Sequence, residues 1–215
     1  MKLINGMLLS LLLLVGCSPP PTQQVEEKAE TPPQEQPKEA KEVVKIKQGN
    51  FKEYRPKVGE KRIYTNAGEE IYVHEIVAEN EEYVQVIVSL SGAPTTQIYR
   101  WTNEEYALVH EAAGRQSPEL IEAFVPMEFP EIFLDLKDDG QAEWKVIDEN
   151  QTITVPKGTF ESVIVIQKTT SEVAGANTIY TRYFAPEMGL IKETYEVTGE
   201  HGYKDEANLD EVELN

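Results

Sequence analysis

The chain has 215 residues, 38 acidic against 20 basic, giving a net charge of −18 at pH 7 and a mean hydropathy of −0.44. Such an acidic surface repels nucleic acid and anionic lipid headgroups, which argues against both as direct partners of the folded part. With one cysteine in the chain, an intramolecular disulfide is excluded.

Residues 1–17 read MKLINGMLLSLLLLVGC. Lys2 supplies a positive start, and the apolar run over 7–15 is broken only by Ser10. Such a run is too short to remain in a bilayer as a spanning helix, so the pattern predicts an export signal over residues 1–16. Leu14-Val15-Gly16-Cys17 resembles the lipobox of bacterial lipoproteins. The resemblance implies diacylglycerol on the Cys17 thiol, cleavage just before it, and further acylation of palmitate type. The protein is then expected at a cell membrane, lipid-anchored, with its folded part outside the cytoplasm. Two or more acyl chains at about 0.8 kcal/mol per buried methylene hold firmly where one is marginal.

Residues 18–45 contain six prolines, no aromatic residue, and six acids against four bases. A segment so poor in apolar surface cannot offset its conformational entropy, so 17–45 is predicted to be a lipidated cysteine followed by a disordered Pro/Glu/Lys tether. As a coil it reaches about 30 Å, and in polyproline form about 85 Å.

Residues 46–199 hold 26 acids against 14 bases and are rich in Val, Ile, Tyr and Phe, enough for one well-buried core. Period-two alternation predicts strands over 71–76, 83–88, 97–101, 106–110, 143–147, 151–155, 160–168, 178–184 and 190–197. In the first, Tyr72, His74 and Ile76 share one face. Val163-Ile164-Val165-Ile166 puts branched apolar groups on both faces, so that strand is expected to be covered on each side. Ser117-Pro118-Glu119 is a helix start, followed by Leu120, Ile121 and Phe124 as an apolar stripe. The fold class expected is mostly β: an antiparallel meander, as a half-barrel or two-layer sheet, with one short helix. Residues 200–215, with six acids against one base, read as an acidic flexible tail.

Two segments of the β domain also carry a resemblance. Val155-Pro156-Lys157-Gly158-Thr159-Phe160 is similar to a V-P-x-G-T-F hairpin of uncharacterised bacterial lipoproteins. Tyr183-Phe184-Ala185-Pro186-Glu187-Met188-Gly189-Leu190-Ile191-Lys192 is similar to their Y-[YF]-A-P-x-x-G-L-[IV]-K turn. The recurring residues are turn and core formers, so the resemblance bears on fold rather than activity.

His74, His110 and His201 have no second ligand at metal spacing, and no G-x-S-x-G, phosphate loop or dinucleotide fingerprint occurs. No enzyme, metal or cofactor is therefore expected. The residues proposed for ligand contact are apolar: Phe124, Met127, Phe129 and Phe133, from the FVPMEFPEIFLDL run at 124–136, as a cavity wall, with Tyr99 and Trp101 as an aromatic platform on one strand face. The expected role is noncatalytic binding of an apolar or amphiphilic ligand between the sheet and residues 124–136. The alternative is a structural or interaction module presenting a β surface to another envelope protein.

Overall fold

The computed structural model describes residues 50–137, 143–171 and 175–214. Cys17, the signal over 1–16 and the tether over 17–45 lie outside these residues. Eleven strands follow in chain order: β1 (Glu60–Asn66), β2 (Glu69–Glu79), β3 (Tyr83–Leu90), β4 (Ala93–Trp101), β5 (Glu105–Ala113), β6 (Glu131–Asp135), β7 (Trp144–Val155), β8 (Gly158–Thr170), β9 (Thr178–Ala185), β10 (Gly189–Val197) and β11 (Tyr203–Leu214). They form one antiparallel sheet in the order β6-β5-β4-β3-β2-β1-β11-β10-β9-β8-β7. Two meanders, β1 to β6 and β7 to β11, are thus joined where β1 pairs with β11. Tight hairpins follow from local chemistry. Ala67-Gly68 and Ser91-Gly92 have positive φ at both positions, the two-residue turn that matches strand twist.

A sheet this wide must curl, and register shifts in β1, β2, β4, β5, β7 and β10 add the bend. The two edges, β6 and β7, are thereby brought face to face. Phe133 on β6 and Trp144 on β7 meet edge to face with centroids 5.6 Å apart. The result is a nearly closed barrel, in agreement with the expected mostly β meander.

Three apolar clusters hold it together. The largest fills the interior with Ile76, Val86, Trp101, Tyr106, Phe133, Trp144, Ile166 and Phe184. Phe51, from a 3-10 turn over Phe51–Tyr54, plugs this interior between Trp101 (5.4 Å), Tyr106 (5.9 Å) and Phe184 (5.4 Å). Arg55 clasps the plug by donating to the carbonyls of Trp101, Asn80 and Glu81. Gly189 explains the glycine of the Y-F-A-P turn. Its φ is +65°, and an added Cβ would lie 3.2 Å from both Pro56 Cδ and the Tyr54 carbonyl. In the second cluster Val155, Val163 and Val165 meet Ala185, Ile191 and Leu209, together with Tyr64 and Tyr72. Ile164 and Ile166 belong to the interior, so the Val163–Ile166 run is covered on both faces as its composition predicted. The third cluster packs Ile121, with Leu120 and Phe124, against Ile98, Ala107 and Val109.

The structure corrects three readings. Residues 203–214 are no tail: β11 sits in the sheet's interior, paired with β1 and β10. Its acids mislead because two of them are neutralised across the ladder, Glu206 by Lys192 and Glu213 by Lys61, both at 2.7 Å, while Ala207 and Leu209 are buried. The two strands read at 143–147 and 151–155 are one bulged strand, β7. The helix after Ser117 is a 3-10 turn, Pro118–Glu122, and the Ser117 side chain makes no capping hydrogen bond.

Candidate functional site

A cavity of about 230 Å³ lies inside the barrel, floored by Trp101 and Tyr106. At about 30 Å³ per water, its volume corresponds to roughly eight waters, which suits a small molecule or one arm of a larger one. One side is apolar: Ile76 from β2, and Val86, Val88 and Leu90 from β3. The other carries Arg62, Tyr72, His74, Arg182 and Glu193. Register explains the gathering of polar groups. Arg62 is paired with His74 and Tyr64 with Tyr72 across β1 and β2, and Glu193 with Arg182 across β10 and β9.

Tyr64, Tyr72 and His74 form a three-ring cluster with centroids 4.6 to 5.0 Å apart. The Tyr64 hydroxyl donates to the Leu190 carbonyl at 2.8 Å, and burial pushes its pKa up to about 12. Arg62 is 1% exposed. Its Nε donates to Glu60 at 3.0 Å, its Nη2 to the same carboxylate, and its Nη1 to the Met188 carbonyl. A buried guanidinium is tolerable only when matched in this way. Tyr99 stacks on Tyr106 at 5.3 Å and donates to Gln97 Oε1 at 2.5 Å.

Three polar groups facing the cavity are differently placed. The Tyr72 hydroxyl is buried and makes no hydrogen bond of full geometry, with the Glu193 carboxylate as its acceptor on hand. Burial, reinforced by Glu193, raises its pKa well above the ordinary value. His74 contacts Tyr64 and Tyr72 through its ring and makes no hydrogen bond among the described residues. Burial, together with Arg62 and Arg182, pushes its pKa down to about 3, so it is neutral at pH 7. Arg182 lies over the rings of Phe133 (4.2 Å) and Trp144 (5.1 Å), and its Nε is 3.5 Å from the Glu193 carboxylate. Burial opposes its charge, but Glu193 and the nearby phenols outweigh that effect and the net shift is upward.

The ligand residues read from the sequence fall in four places. Tyr99 and Trp101 line the cavity, on one face as alternation required, and the Trp101 indole also donates to the Phe51 carbonyl at 3.0 Å. Phe133 is buried in the interior core beneath Arg182. Phe124 packs against Tyr83 and His110 in the third cluster, away from the cavity. Met127 is partly exposed and Phe129 is 80% exposed. The 124–130 stretch runs along β5, where Met127 N–H donates to the Val109 carbonyl at 2.7 Å. Arg62, Tyr72, Arg182 and Glu193 escaped the sequence reading. Their one signal was a charged or phenolic residue among apolar ones on a strand face, and alternation alone does not say which face turns inward.

No protein-family model and no curated protein matches the chain. Two solved structures are similar. One, from Bacteroides fragilis NCTC 9343, is provisionally described as an exported protein with a YmcC-like fold. It has 10% identity and a TM-score of 0.41, over 74% of this chain and 97% of that one. The other, provisionally described as a lipoprotein from Parabacteroides distasonis ATCC 8503, has 12% identity and a TM-score of 0.43, over 74% of this chain and 98% of that one.

Proposed function

We propose that this chain is an extracytoplasmic lipoprotein, held at a membrane by acyl chains on Cys17, whose barrel interior binds a small amphiphilic molecule without transforming it. The lipobox at residues 14–17 supports the anchoring. The observation that carries the binding is Arg182, a largely buried guanidinium that makes no hydrogen bond among the described residues, at a cavity lined by apolar and polar side chains together. An unsatisfied buried group costs about 1–3 kcal/mol, which a bound polar group recovers. A noncatalytic role is favoured by His74, the histidine that lines the cavity, because a group with a pKa of about 3 is a weak base at pH 7.

The test is native mass spectrometry of the mature chain, residues 17–215 with Cys17→Ser, purified gently from the periplasm or medium. A small adduct lost on denaturation is expected. A chain that stays bare, there and after incubation with mixed amphiphiles, sinks the binding reading. The rival role as an interaction module is favoured by Val125 and Phe129, 78% and 80% exposed beside edge strand β6. Crosslinking from position 129 in intact cells that captures one dominant envelope protein would favour it.

A further inference from the structure

Among the polar groups lining the cavity, Arg182 holds N–H donors that no hydrogen bond among the described residues takes up. A guanidinium has five N–H donors. Arg62 directs its own at Glu60 and Met188, whereas Arg182 aims Nε at Glu193 and makes no hydrogen bond among the described residues. The Tyr72 O–H has the Glu193 carboxylate as its acceptor on hand, and neutral His74 brings one N–H donor and one acceptor nitrogen. Of the charged groups lining the cavity, Arg62 is matched by Glu60, and Arg182 and Glu193 face each other at 3.5 Å.

Building on the binding reading above, we propose that the cavity takes a small monocarboxylate amphiphile, its acid head received by Arg182 and His74 and its apolar body laid against Ile76, Val86 and Val88. The volume takes roughly eight water-sized groups, head and body together, so the end of a longer chain lies outside it. A carboxylate suits this wall because it offers about four acceptor sites and no donor, and its plane matches the fork of Arg182. An alcohol head accepts less and adds a donor of its own. An ammonium head adds three donors and faces two like charges. Glu193 competes for Arg182 and so lowers affinity for an acid. Repulsion from the acidic exterior is screened beyond about 8 Å at physiological salt.

The experiment compares octanoate with 1-octanol by calorimetric titration of the mature Cys17→Ser chain at pH 7 and 0.15 M salt. Octanoate is expected to bind at least tenfold tighter. Arg182→Gln lowers octanoate affinity at least tenfold and leaves octanol unchanged, the latter reporting an intact barrel. Glu193→Gln tightens octanoate and not octanol. Equal binding of acid and alcohol, or variants that leave their ratio unmoved, overturns the carboxylate inference while the amphiphile reading stands. If neither probe binds, both fall. Should Arg182→Gln fail to fold, the Glu193→Gln ratio decides: a rise supports the inference and no change overturns it.

Discussion

His74 is an imidazole kept neutral by its surroundings, and this has a consequence for stability. Its pKa is about 3 in the folded chain and about 6.5 when unfolded. As pH falls through 6.5 the unfolded chain takes up a proton that the native one refuses, so stability drops steadily down to about pH 3. Between pH 7 and pH 5 the loss reaches up to about 2 kcal/mol. Glu187 and Glu206, held below the usual carboxylate range by Lys57 and Lys192, respond only below about pH 4.5 and leave this window clear. Urea unfolding at the two pH values should show the wild type losing that much more than His74→Gln. Equal losses in both proteins would mean His74 is not held neutral. His74 was visible in the sequence as a strand histidine on the face of Tyr72 and Ile76. Its setting was not, because Arg62 and Arg182 reach it from β1 and β9.

Among the elements, β11 is the one whose role the sequence hides. Runs of acids resemble a solvated tail, and nothing local distinguishes a tail from a strand whose charges are matched by Lys61 and Lys192 far away in the chain. Truncation after Gly199 should abolish cooperative unfolding, because it unpairs β1 and β10 together and uncovers the second cluster. The milder Leu209→Ala should cost about 2–5 kcal/mol. A truncated chain with an unchanged melting temperature would restore the tail. Strands β2 to β5 and β8 to β10 were legible, since their alternation or branched runs are local. Strand β6 was not: it has five residues and follows two prolines in an apolar run. Strand β1 passed unread because its interior-facing positions hold Arg62 and Tyr64, so its alternation does not sort apolar from polar.

For the whole molecule, the proposed anchoring rests on one thiol. Cell fractionation should find the wild type in membranes and Cys17→Ser in the soluble extracytoplasmic fraction. A variant that still sediments, unacylated and intact, would defeat the anchor. The sequence by itself carried what short stretches decide: a likeness to a lipobox over four residues, a mostly β antiparallel class read from period-two patterns, and turns read from proline and glycine. Tertiary structure alone decided that the chain's last strand closes onto β1, that the Phe51 plug fills the interior, and that residues 124–130 lie along the outside of β5. The reason is physical. Alternation gives a strand two faces without naming the inner one. Which face turns inward is set by how eleven strands curl together, and that curl gathers Arg62, Tyr72, His74, Arg182 and Glu193, from four strands, around one cavity.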